Sequence, residues 1–110
     1  MSNKDDYVAA GLTADLYELD REVARLAMLC RVKLLEPGVI ERVIRKDASV
    51  CGTSNPRAFA KLHDMMKMHY AVRDKLVDSV GQAVTVQVME KIVERLRKNF
   101  GDQLGAPPPR

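Results

Sequence analysis

Apolar residues in the first third of the chain recur at alternating spacings of four and three positions. From Leu12 to Cys30 this pattern is a seven-residue repeat. Such a repeat keeps one stripe of a helix facing a neighbouring helix. A second, looser copy places Leu62 and Leu76 seven residues on either side of His69. We predict a self-association seam formed by Leu12, Leu16, Leu19, Val23, Leu26, Cys30, Leu62, His69 and Leu76.

Helix-breaking and helix-capping residues divide the chain into four predicted helices. Pro37 and Gly38 interrupt the apolar pattern after the first helix, because proline removes a backbone donor. Asn55 followed by Pro56 is typical of a helix start. The predicted helices cover about 13–35, 39–47, 55–80 and 82–100 of a single domain at 12–101. We expect a flexible arm at 1–11 and a disordered, proline-rich tail at 102–110.

Residues 84–88 fit two interpretations. Valine alternates there with polar residues, as it would in a strand. No second segment of the sequence offers a partner strand, and an isolated strand leaves its backbone donors unsatisfied. The residues that follow, 90–100, have a clear helical pattern. We therefore predict that 84–88 is helical.

The composition indicates a folded helical protein. Hydrophobic residues make up 46% of the chain and charged residues 30%, whereas aromatic residues make up only 5% and tryptophan is absent. The core must then be built mainly from aliphatic side chains and methionine. We predict an all-α fold, an antiparallel bundle of three to four helices. Because the seams would leave apolar surface on a lone chain, we expect homodimerisation to complete the bundle.

The basic residues raise the alternative of nucleic-acid binding. The net charge of +3 comes from 18 basic and 15 acidic residues, which is less basic than a dedicated nucleic-acid binder usually is. The segment 39–61 resembles a helix-turn-helix, but its connection is longer than the usual three or four residues. Its possible nucleic-acid contacts are Arg42, Arg45, Lys46, Asn55, Arg57 and Lys61.

The sequence predicts a cytoplasmic protein. No apolar run is long enough to span a membrane, and no apolar signal segment follows the polar first residues. Cys30 lies on the seam and is expected to be buried, whereas Cys51 lies in a connection and could be accessible. Because the cytoplasm is reducing, we expect no disulfide between them.

His69 is the polar residue that stands out in the seam. A buried polar side chain is costly unless it finds a hydrogen-bond partner. His69 could be a satisfied core histidine, a residue that fixes packing or responds to pH, or a ligand-binding group. His63 is six residues away and points to a different side of the helix, so the two cannot share a metal ion. We expect no metal and no cofactor.

One helix resembles a known enzyme family. Leu19 and Asp20, followed by Val23 and Leu26, resemble the opening helix of the small all-helical chorismate mutases. The chain has Cys30 where that family places a catalytic arginine, and no counterpart of the family's later lysine. The resemblance covers one helix only.

These patterns favour a non-enzymatic, oligomeric interaction or adaptor protein, with a second copy or another protein as its partner. A small DNA-binding regulator that uses 39–61 is the alternative, and a small all-helical enzyme is a further one. The sequence contains no motif that names a reaction or a ligand.

Overall fold

The computed structural model describes residues 3–105, without the side chains of residues 3–6 and 102. No strand occurs in this part of the chain, so the all-α prediction is confirmed. Four helices pack together, and two short 3-10 turns join or follow them. The helices are α1 (Asn3–Cys30), α2 (Val39–Ile44), α3 (Pro56–Val80) and α4 (Gln82–Phe100), and the 3-10 turns are Ala48–Val50 and Gly101–Leu104.

The first helix begins earlier than the sequence predicts. It starts at Asn3 instead of near Thr13, so residues 3–11 are helical and continue α1 as one rod. Thr13, where the predicted helix starts, lies inside α1, and its hydroxyl donates to the Ala9 carbonyl at 2.8 Å. The hydroxyl therefore bonds back to the preceding turn, which leaves the helix intact.

α1 and α2 both end about one turn before their predicted ends at 35 and 47. The reason is a basic residue with a left-handed backbone: φ is 52° at Arg31 and 60° at Lys46. The next amide then donates to the carbonyl five residues back, at 2.8 Å in α1 and 2.9 Å in α2. This is a Schellman motif, which usually uses glycine. Because Arg31 and Lys46 stand where this motif usually has glycine, the sequence places the ends of α1 and α2 too far along the chain.

α3 and α4 have the bounds that their caps predict. The Asn55 side chain accepts a hydrogen bond from the Ala58 amide at 3.1 Å, as an N-cap does. Gly81, with a φ of 89°, separates the two helices. The strand-like residues 84–88 are helical. Within them, the buried Thr85 hydroxyl donates to the Gly81 carbonyl at 2.8 Å.

The core lies mainly between α1 and α3, which run antiparallel. α1 contributes Leu16 and Val23, and α3 contributes Leu62 and Leu76, all of them almost fully buried. Ile92 and Leu96 of α4 close the core along one side. Burial of each such side chain contributes about 2 kcal/mol to folding.

The segment after α4 packs on the core instead of forming a tail. Leu104 is fully buried, and its carbonyl accepts a hydrogen bond of 2.7 Å from the Leu35 amide. The prediction of disorder from residue 102 onward is therefore wrong for 103–105, because Leu104 covers the connection between α1 and α2. The rest of the predicted tail, 106–110, lies outside the described residues.

Candidate functional site

The predicted self-association seam is covered within one chain. Leu16, Val23, Leu26, Cys30, Leu62, His69 and Leu76 are buried, while Leu12 and Leu19 are half-buried. The α1 half of the seam packs mostly against α3 of the same molecule. Most members of the seven-residue pattern are buried within this chain, so these members offer no surface to a second chain. Any association surface must lie on the outer side of these helices.

A buried acid–histidine pair crosses the interface between α1 and α3. His69 is 3% exposed and Asp20 is 7% exposed. His69 Nδ1 lies 3.2 Å from Asp20 Oδ1, close enough for an ion pair when the imidazole is protonated. His69 Nδ1 and Asp20 Oδ2 have no hydrogen-bond partner among the described residues. The edge of the Tyr70 ring adjoins the imidazole at 5.4 Å between ring centres.

Asp20 was missed as the partner of His69 because the buried face of α1 is wider than the seam. A signal for it exists in the sequence. Asp20 follows Leu16 by four residues and precedes the fully buried Ala24 by four, so all three lie on one side of α1. An acidic residue on that side, opposite a histidine of α3, indicates a buried pair.

His63 holds α2 against α3. Its Nε2 lies 3.1 Å from the Ile44 carbonyl at the end of α2. A carbonyl only accepts, so Nε2 carries the proton and donates. Nδ1 lies 3.3 Å from the exposed carboxylate of Asp64. His63 and His69 therefore contact different elements and are not brought together.

Some of the possible nucleic-acid contacts form hydrogen bonds within the chain, and the others are exposed. Arg42 donates to Asp47 at 2.9 Å and to the Ser49 hydroxyl at 2.6 Å. Hydrogen bonds to its carboxylate lower the pKa of Asp47 to about 2, and the bond from Ser49 has a larger effect than the bond from Arg42. Asn55 is engaged as the cap of α3. The exposed members of the set are Arg45, Lys46, Arg57 and Lys61.

A shallow apolar groove runs along the outer side of α1 and α3. Its floor contains Leu19 and Met65, and its volume is about 370 Å³. Met68 stands out from it with 52% of its surface exposed. The acidic residues Asp15, Glu18 and Glu22 of α1 line one edge. The composition predicts methionine among the core residues, and the structure places Met66 in the core and Met68 on the surface.

A second cavity, of about 680 Å³, lies where the connection after α2 meets the start of α3. Cys51, His63, Asp64 and Lys46 are among its lining residues. The Cys51 thiol also contacts Cys30, which is fully buried at the end of α1. Burial raises the pKa of both thiols, that of Cys30 to about 11.

Comparison with known proteins identified no match. No protein-family model matches the chain, and no curated protein or solved structure is similar to it. Within residues 3–105, no helix combines the length and the apolar character needed to cross a membrane.

Proposed function

We propose that this chain is a non-enzymatic interaction protein that assembles as a homodimer through the outer side of α1 and α3. The observation that carries the proposal is the exposed Met68 above the apolar groove beside Leu19 and Met65. Methionine is flexible and polarizable, and it is common on helix-docking surfaces. Covering a surface of this kind with a second helix is favourable, because it removes apolar area from water.

The polar residues around the groove favour a second copy as the occupant. On α1, Val8, Asp15, Glu22 and Leu29 are seven residues apart and form one row with acidic members at its centre. On α3, Lys61, Met68 and Lys75 form a row with lysines at its ends. A two-fold axis would bring the acidic row of one copy towards the basic row of the other.

Exposed apolar residues extend this surface beyond the groove. Val8 and Leu29, at the two ends of the α1 row, are each nearly half exposed. Within one chain, Lys61 lies close enough to Glu22 to help lower the pKa of that carboxyl, after the larger effect of Arg25. The two rows are thus neighbours, and a partner helix would contact both at once.

Sedimentation of the full chain at micromolar concentration tests this proposal. We expect at least twice the chain mass of 12.3 kDa. Met68→Glu should give a folded monomer, because the side chain is exposed and the substitution adds charge to an apolar contact. Val84→Glu is the matched control, since Val84 is similarly exposed on α4. A folded wild-type monomer at this concentration, or equal effects of the two variants, would contradict the proposal.

Binding of the same sample to DNA distinguishes a DNA-binding regulator from an interaction protein. Retention on random duplex DNA that falls steeply with salt, and that is lost in an Arg45→Ala, Arg57→Ala double variant, would favour a DNA-binding regulator. A homodimer without such retention supports the interaction protein.

A further inference from the structure

We propose that Cys30 and Cys51 form a redox-active pair, which closes into an intramolecular disulfide on reaction with a low-molecular-weight disulfide. The two residues lie far apart in the sequence, at the end of α1 and in the connection before α3. The fold brings them together, and no other cysteine is present in the chain.

Backbone contacts hold the two cysteines in position. The Gly52 amide, next to Cys51, donates to the Cys30 carbonyl at 3.0 Å and to the Arg31 carbonyl at 3.1 Å. A Cβ atom at Gly52 would lie only 2.7 Å from the Arg31 Cβ, so this approach requires glycine. A disulfide needs Cα atoms about 5.5 Å apart. The hydrogen bond from the Gly52 amide to the Cys30 carbonyl holds the backbones beside the two cysteines close together, as a disulfide requires.

The side chains also meet. The two thiols lie close enough that each affects the pKa of the other. Cys30 belongs to the cluster of buried apolar core residues, and Cys51 packs against that cluster. Disulfide formation therefore needs a small rotation of two neighbouring side chains, with no rearrangement of the helices.

The two thiols differ in accessibility, which sets the order of reaction. Cys30 is fully buried, whereas Cys51 is half-buried and lines the open cavity of about 680 Å³. Lys46 and Asp64 both line this cavity, so their opposite charges offset one another and accessibility sets the order. A small disulfide such as glutathione disulfide thus reaches Cys51 first, and Cys30 acts second.

The reaction consists of two thiol–disulfide exchanges. The Cys51 thiolate attacks one sulfur of glutathione disulfide, forms a mixed disulfide and displaces one glutathione thiolate. Cys30 then loses its proton to solvent, attacks the Cys51 sulfur and displaces the second glutathione. In sum, the protein thiols lose two electrons and two protons, and one glutathione disulfide is reduced to two thiols.

The protonation of the thiols makes this reaction slow at neutral pH. The thiolate is the nucleophile, and burial raises the pKa of Cys30 to about 11 and also raises that of Cys51. We therefore expect the rate to rise close to tenfold per pH unit between about pH 7 and 8.5. The pair would respond to sustained oxidising conditions.

Mass spectrometry of the full-length protein treated with glutathione disulfide tests the proposal. The wild type should lose two hydrogen masses, without an adduct, and its Tm should rise by roughly 10 °C because the crosslink restricts the unfolded chain. Cys30→Ala should stop at a stable glutathione adduct on Cys51. Cys51→Ser should leave Cys30 unmodified while the protein stays folded.

A backbone variant adds a test that keeps both thiols. Gly52→Ala should slow closure by at least about tenfold, because the new Cβ displaces the connection from Arg31. Gly11→Ala is the control, since no atom lies within 4 Å of its added Cβ. A wild-type product with only a Cys51 adduct, a disulfide between two chains, or no reaction would overturn the proposal.

Discussion

Apolar side chains are buried more completely in the interface between α1 and α3 than on α4. α1 and α3 share a long interface, in which seam residues of both helices are almost fully covered. α4 buries only Thr85, Ile92 and Leu96. A cavity of about 900 Å³ remains between α3 and α4, and Val84 and Val86 are 45% and 47% exposed.

This difference shows that a helical period alone does not determine how completely a helix is covered. The α1 seam repeats every seven residues over most of the helix, so one antiparallel neighbour can follow it throughout. The apolar positions of α4 recur every four residues and drift around the helix, so only part of them can face a straight neighbour. Leu104, beyond the end of α4, is fully buried, and its carbonyl accepts a hydrogen bond from the Leu35 amide.

The largest effect is expected from a charge placed in the α1–α3 interface. Val23→Asp should unfold the protein, because an unpaired carboxylate in this core costs several kcal/mol. Val84→Asp, the same change on the exposed side of α4, should alter the free energy of unfolding by less than about 0.5 kcal/mol. Circular dichroism and urea denaturation measure both. Similar stabilities of the two variants would contradict the contrast between the regions.

The buried acid–histidine pair tests how the interface tolerates polar groups. Asp20→Leu or His69→Leu alone should lower the free energy of unfolding by about 4 kcal/mol, since each leaves the other group buried and unpaired. The double variant should be much more stable than the sum of the two losses predicts. Urea denaturation of all four proteins gives the coupling. Additive losses would mean that the two side chains act independently.

The C-terminal 3-10 turn tests whether residues beyond the end of α4 contribute to the core. Leu104→Ala should cost about 3 kcal/mol, because it removes a fully buried side chain and leaves a cavity. Gln103→Ala, at an exposed position beside it, should cost less than about 0.5 kcal/mol. Thermal denaturation at several urea concentrations would compare them. Equal stability of both variants would favour the prediction of a disordered tail from residue 102 onward.

The smallest effect concerns the first turn of α4. Thr85→Val keeps the shape of the side chain but removes the hydrogen bond to the Gly81 carbonyl, so it should cost about 1 kcal/mol. Val86→Thr, on the exposed side of the same turn, should be close to neutral. Urea denaturation checks both values. A neutral Thr85→Val would mean that this turn contributes little to holding α4.

The sequence alone predicted the elements that depend on local signals. Asn55 before Pro56 fixed the start of α3, and Gly81 fixed its end, because caps and breakers act on adjacent residues. The seven-residue spacing predicted a stripe on α1, and the structure buries Leu16, Val23 and Leu26 of that stripe. The ends of α1 and α2 were missed because Arg31 and Lys46 adopt a conformation that their sequence does not favour.

Only the tertiary structure decided what covers each stripe. A period indicates that one side of a helix is buried, but it does not specify whether the covering helix belongs to the same chain. It also gives no information on contacts between distant positions. The pairing of Asp20 with His69, the meeting of Cys30 with Cys51 and the burial of Leu104 all arise from packing of segments that are remote in sequence.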